Sequence, residues 1–136
     1  MKISVFGLGY VGCVSAACLA GQGHRVVGVD VNPVKIDLIT QGNAPVVEER
    51  IGELTAEVVA SGALRATTDV AEAVADSEIS LVCVGTPSAP NGSQDQTAML
   101  RLAKDLGAAM REKAMGHVFV FRSTLVPGTV EDVLRP

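Results

Sequence analysis

Tryptophan is absent, tyrosine occurs once, and aromatic residues make up only 3% of the 136-residue chain. So few stacking platforms exclude a binder of single-stranded nucleic acid, which holds successive bases on aromatic faces. Charge is sparse as well: 19% of residues are charged, 11 basic against 15 acidic, for a net of −4. That balance favours solubility and denies nucleic acid the basic surface that phosphate binding requires. Cysteine is limited to Cys13, Cys18 and Cys83. An odd count without CxxC spacing indicates neither a disulfide framework nor a zinc site, and a reducing, cytoplasmic setting is the default for such thiols. No apolar run approaches the ~18 residues of a membrane span. The apolar start Met1–Phe6 breaks into a glycine-rich turn too early for a signal peptide. Neither nucleic acid nor a membrane is therefore expected as a partner.

Small apolar residues are abundant: 48% of the chain is hydrophobic. With so little charge, that content excludes a disordered protein. It also implies that some surface is meant to be covered. The length fits one domain, two at most. The pattern predicts strands at 2–6, 25–30, 64–67, 79–84 and 117–121, each a short apolar run. Helical segments are predicted at 10–21, 33–40, 50–61, 69–75 and 96–113, and another loop and helix begin after Val126. Asn32 followed by Pro33 reads as a helix cap and first turn. Continuous apolar strands alternating with helices indicate a parallel sheet covered on both faces. The right-handed crossover rule then leads to a doubly wound α/β sheet of the Rossmann type, five strands ordered 3-2-1-4-5. A dinucleotide fold has six strands and only five fit here, so the chain is expected to end before its fold does. Its open edge is expected to favour self-association, and a homo-oligomer with it.

The strongest chemical signal is Gly7-Leu8-Gly9-Tyr10-Val11-Gly12. GxGxxG alone is weak, but here it follows a predicted strand and opens a predicted helix, as a dinucleotide fingerprint must. Gly7 permits the tight turn, Gly9 lets the backbone approach a pyrophosphate, and Gly12 allows close packing of helix on strand. The pyrophosphate would rest on free N–H groups at the positive helix end. Asp30 ends the second predicted strand, where a carboxylate takes the adenosine ribose hydroxyls and repels a 2′-phosphate, which favours NAD over NADP. Lys35 lies about one helical turn further on. Thr86 ends the fourth strand within Cys83-Val84-Gly85-Thr86-Pro87, at the topological switch point. Thr124, within Arg122–Thr129, occupies the equivalent end of the fifth strand and could bond the cofactor or hold a reacting water.

Together these stretches resemble the UDP-glucose/GDP-mannose dehydrogenase family, whose amino-terminal pattern runs through Gly7–Gly12, Gly28-Val29-Asp30, Lys35, Val84–Pro87, Ser123-Thr124 and Pro127–Thr129. The likeness covers nearly the whole chain but only the first part of a family member. It implies an NAD-binding domain and, for the parent protein, a two-step NAD-dependent oxidation of a nucleotide sugar at C6 to the uronic acid, a reaction of polysaccharide biosynthesis. The Arg-Ser-Thr stretch leans towards the GDP-mannose branch. By resemblance, Tyr10, Val11, Asp30, Lys35, Thr86 and Thr124 contact the cofactor. The family's catalytic cysteine, which holds a thiohemiacetal and then a thioester, lies downstream, so no catalytic residue is assignable and the nucleotide sugar binds only with the missing part. One departure is clear: where the family has Glu-Pro-Gly-Leu, this chain has Glu48-Glu49-Arg50-Ile51.

Cys13 and Cys18 are expected on a buried helix and Cys83 inside a strand, all as small hydrophobes. His24 and His117 stand at strand starts, away from the crevice, and are expected to be solvated or capping. A fragment of another Rossmann oxidoreductase, or a stand-alone dinucleotide-sensing module, are the alternatives at this stage.

Overall fold

The computed structural model describes residues 1–134. Its strands are β1 (Lys2–Phe6), β2 (Arg25–Val29), β3 (Leu64–Thr67), β4 (Ile79–Val82) and β5 (Val118–Phe121). They form one sheet ordered β3-β2-β1-β4-β5, with every pair parallel, as the alternation of apolar runs and helices predicts. The helices are α1 (Tyr10–Gly21), α2 (Pro33–Thr40), α3 (Ile51–Ala60), α4 (Val70–Ala75) and α5 (Thr97–Arg111). The helix expected after Val126 is a π-helical turn over Val130–Leu134, and the expected continuation through 135 and 136 lies outside the described residues.

Side chains alternate across each strand, so β1 feeds two cores. Ile3 and Val5 join Ala16, Ala20, Ile39, Val58 and Leu64 beneath α1, α2 and α3. Phe6 joins Val27, Val82, Val74, Met99 and Leu106 beneath α4 and α5. Burial on both faces explains why these strands read as continuous apolar runs. Local caps agree with the sequence. The Asn32 side chain accepts the Val34 N–H at 3.0 Å, and that of Asp69 accepts the Glu72 N–H at 3.0 Å.

Three strand boundaries move, and α3, α4 and α5 are each shorter by one to three residues than predicted. β2 ends at Val29, so Asp30 is the first residue beyond the ladder. β5 begins at Val118, one residue after His117. β4 ends at Val82, and Cys83 makes one last bond, its N–H to the Phe6 carbonyl at 2.7 Å. The chain then crosses directly over Gly7, where a Cβ would lie 2.9 Å from the Cys83 carbonyl oxygen. Leaving the ladder early is the geometric cost of that crossing.

Among the described residues, Arg50 is the one non-glycine with positive φ, at 66°. It stands where the family pattern has glycine. The backbone therefore keeps a glycine's conformation with an arginine in it, at a strain of about 1–2 kcal/mol. Arg50→Gly is expected to raise stability by about 1 kcal/mol in chemical denaturation. A destabilised variant would mean that the arginine side chain holds this turn.

Candidate functional site

The site is built at the carboxyl ends of β1, β2, β4 and β5. Between β1 and α1 the three glycines do different work. Gly7 takes φ 90° beneath Cys83. A Cβ on Gly12 would sit 1.8 Å from the Gly7 carbonyl oxygen. Both are required by the fold itself. A Cβ on Gly9 would meet nothing within 4 Å, so packing does not explain this glycine; it faces open space.

That space lies at the start of α1. Gly9 is the N-cap and supplies no side-chain cap. Among the described residues, the N–H groups of Tyr10, Val11 and Gly12 donate to no acceptor, as expected for the first turn of a helix. Three unpaired donors, the positive end of a 12-residue helix and a missing Cβ form a cradle for an anion. Tyr10 and Val11 are exposed beside it.

Asp30 braces the same turn. Its Oδ2 accepts the Leu8 N–H at 2.8 Å and the Lys35 ammonium at 3.0 Å, and its Oδ1 accepts the Asn32 N–H at 2.9 Å. Only 9% of the side chain is exposed. Burial pushes the carboxyl upward, but the Asn32 N–H, Lys35 and the Leu8 N–H together outweigh it and hold it below the usual carboxylate value. The group is thus ionised at neutral pH. Oδ1 carries one protein bond, so an acceptor position remains on it. The spacing from Gly12 pointed to Asp30 as a ligand residue; its bond to Leu8, in the glycine turn itself, carried no sequence signal. Lys35 is held in place by this pair and not solvated freely.

At the other half of the crevice, the Thr86 hydroxyl donates to the Thr124 carbonyl at 3.1 Å. The Ser123 hydroxyl donates to the Val84 carbonyl at 2.7 Å, and Arg122 Nη1 donates to Ser15 Oγ of α1 at 3.0 Å. The ends of β4 and β5 are thereby tied to each other and to α1. Thr124 is exposed. Two clusters result: Gly7, Gly9, Tyr10, Val11, Gly12, Asp30 and Lys35 at one end, Thr86 and Thr124 at the other, joined where Gly7 and Gly12 pack on Cys83.

The loop before α3 reaches back to the cradle: the Tyr10 hydroxyl donates to the Glu48 carboxylate. That acceptor raises the phenol above its ordinary value. Sequence reasoning matched Glu48 to the family pattern without assigning it a partner.

Neither Cys13 nor Cys83 is an activated nucleophile. Burial pushes the Cys13 thiol up to about 11, against a smaller opposing effect of Lys35. Burial also raises Cys83, against Arg122. At neutral pH such thiols are almost wholly protonated and unreactive. Cys18 is exposed, contrary to its expected burial, because α1 turns only one stripe towards the sheet. His117 is neither solvated nor a cap. Its ring lies between Lys113 and Ser80, drawn in because the even-numbered face of β1 and β4 carries serines that need partners. No group of three or more potential metal ligands occurs among the described residues, and no helix there is long and apolar enough to cross a membrane.

Comparison with known proteins agrees with this geometry. The chain is 52% identical over 136 residues to GDP-mannose 6-dehydrogenase of Azotobacter vinelandii, covering 100% of this chain and 31% of that protein. It is 40% identical to the UDP-glucose 6-dehydrogenase AglM of Haloferax volcanii over the same share of each. A crystal structure of a ternary complex of GDP-mannose dehydrogenase from Pseudomonas aeruginosa superposes with a TM-score of 0.97 at 49% identity, over 98% of this chain and 31% of that one. The chain thus spans about a third of the length of these relatives. Residues 1–136 match the NAD binding domain of one family throughout. The chain belongs to the UDP-glucose/GDP-mannose dehydrogenase family, and its fold is that family's NAD-binding domain.

Proposed function

We propose that this chain is the cofactor-carrying part of a nucleotide-sugar 6-dehydrogenase, acting on GDP-mannose in preference to UDP-glucose, and that alone it binds NAD without turnover. The observation that carries the reading is Gly9: a glycine with no packing reason, set beside three unpaired N–H donors. In this reading the N–H groups of Tyr10 and Val11 hold the pyrophosphate. The free acceptor position on Asp30 takes a ribose hydroxyl, and Lys35 fixes the carboxylate that does so. Thr86 and Thr124 line the half of the crevice nearer the nicotinamide, and Thr124 is free to position a water. NAD supplies a hydride acceptor when bound. The carboxylate repels a 2′-phosphate, which selects NAD over NADP.

The preference for GDP-mannose rests on identities of 48–52% to enzymes of that name, against 39–40% to UDP-glucose 6-dehydrogenases. The expected absence of turnover rests on the resemblance, which puts the catalytic cysteine downstream of these residues; Cys13 and Cys83, held protonated, are moreover not poised as the nucleophile that an aldehyde intermediate requires. The edge of β5, unpaired among the described residues, and the exposed Val118 and Val120 on it support contact with a further segment or a second copy.

The test is calorimetric titration with NAD+ and NADH, followed by an NADH assay with GDP-mannose or UDP-glucose. Saturable binding with no NADH formation is expected. No binding would remove the cofactor assignment, and sustained NADH formation would overturn the absence of turnover.

A further inference from the structure

At the base of the sheet, opposite the cofactor crevice, a polar chain, buried at its serines and half-buried at Lys113 and His117, links the end of α5, the start of β5, β4, β1 and α4. Lys113, just past α5, places its ammonium on three acceptors: the Val74 carbonyl at 2.6 Å, the Ser77 carbonyl, and His117 Nδ1 at 2.9 Å. An ammonium has three hydrogens and accepts nothing, so Nδ1 must be the acceptor and the neutral ring carries its proton on Nε2. Nε2 lies 2.7 Å from Ser80 Oγ. Ser80 Oγ lies 2.6 Å from Ser4 Oγ, and Ser4 Oγ lies 2.9 Å from Ser77 Oγ. The Ser77 hydroxyl donates to the Ala73 carbonyl at 2.7 Å.

Followed from the other end, the directions agree. Ser77 gives its one hydrogen to Ala73, so Ser4 donates to Ser77, Ser80 donates to Ser4, and His117 Nε2–H donates to Ser80. Every hydrogen is used once. The chain runs one way from Lys113 to Ala73, and both ends fix the same histidine tautomer.

We propose that His117 is the opening element of an acid-sensitive latch, in which this directed chain pins the start of the edge strand β5 to the base of the sheet. Among the described residues β5 pairs with β4 alone, so its lower end there depends on few attachments: the Val118 N–H on the Glu78 carbonyl at 3.2 Å and the His117 bonds beside it. Protonation would put an N–H on Nδ1, opposite the Lys113 ammonium. One bond is then lost and two cations stand 2.9 Å apart. Among the described residues no carboxylate bonds to either group to compensate. Asp76, on the α4–β4 turn, is paired with Arg65. Glu78, ahead of β4, accepts the Lys2 N–H, and Glu112, beside Lys113, is exposed. β5 contributes the Phe119 ring, 4.6 Å from the imidazole centre, and β1 contributes Ser4. Burial and the Lys113 ammonium hold His117 below the ordinary histidine value, against the opposing Ser77 carbonyl. The latch is therefore fully closed above about pH 6.5, the value of the open state, and weakens as pH falls towards the lowered value of the closed state.

The test is amide hydrogen exchange of the whole chain between pH 7.5 and 5, corrected for intrinsic rates. Protection of Val118–Phe121 is expected to fall by up to about tenfold for each pH unit separating the closed and open values, while β1 and β2 amides hold theirs. His117→Gln keeps a donor in the Nε2 position and cannot titrate, so its β5 protection is expected to be flat with pH. Constant β5 protection in the parent chain, or an equal fall in β1 and β2, would overturn the latch. So would an unchanged pH response in the variant. Should His117→Gln fail to fold, nitrogen NMR of the parent imidazole decides: an Nε2–H tautomer titrating below the ordinary value supports the latch, and an Nδ1–H tautomer or an ordinary value overturns it.

Discussion

Placing a methyl group on Gly9 is expected to cut NAD affinity at least about tenfold, or ~1.4 kcal/mol, and to leave the fold standing. The same change at Gly12 is expected to cost about 3 kcal/mol or more of stability. The contrast comes from two distances. A Cβ at Gly12 would lie 1.8 Å from a backbone oxygen that has nowhere to go, and a Cβ at Gly9 has nothing within 4 Å. Gly9 has φ −77° and ψ −163°, a region open to alanine. Its replacement at an N-cap changes stability by about 1 kcal/mol or less. Any larger effect of Gly9→Ala on binding must then come from the ligand's side. Thermal melts without NAD and titrations with it separate the two variants. A Gly9→Ala chain that binds NAD as well as the parent would mean that no phosphate approaches this backbone.

The second large effect is expected at Asp30. Asp30→Ala should weaken NAD binding by about 1–3 kcal/mol, the worth of charge-assisted bonds to a ribose. It should also destabilise the chain without ligand, because the Leu8 and Asn32 N–H groups lose their acceptor. The two losses part company in pH. The carboxyl is held below its ordinary value in the folded chain. Its contribution to stability is therefore present above the unfolded value, about 3.9, and is lost as pH falls through the folded one. Denaturation of the parent below pH 4 should show that decline and the alanine variant should lack it. Loss of stability with unchanged NAD affinity would leave Asp30 as a brace for the glycine turn and take it out of the cofactor site.

Much of this architecture is written in local patterns. Strand order follows from apolar runs that alternate with helices and from one crossover rule, and the caps at Asn32 and Asp69 follow from residue type. The glycine turn was legible because its spacing sits between a strand and a helix. What escaped detection depends on pairings distant in sequence. Asp30 bonds Leu8 across 22 positions, and Thr86 meets Thr124 across 38. His117 appeared to be a terminal, solvated residue because its partner Ser80 is 37 positions away. One clue was present: Lys113, at the end of the predicted amphipathic helix, precedes it by four positions. Arg50 shows the opposite case. The substitution within the family pattern was visible in sequence, but only the backbone reveals that the turn kept its left-handed shape.

The central place of β1 bears on how the chain assembles as it is synthesised. β1 is made first, yet it lies mid-sheet between β2 and β4. Its bond to β2 becomes available early, but Ser4 and Ser80, which face each other across the other side, are 76 residues apart. At about 5–20 residues per second, one flank of β1 stays open for about 4–15 s while the ribosome delivers its neighbour. Throughout that interval the β4 side of the β1 backbone is unpaired, and Phe6 lacks Val82, Met99 and Leu106, which complete its core. A nascent-chain binding factor would find its best-timed target there, and synonymous codon changes that slow translation before codon 79 would lengthen the exposure.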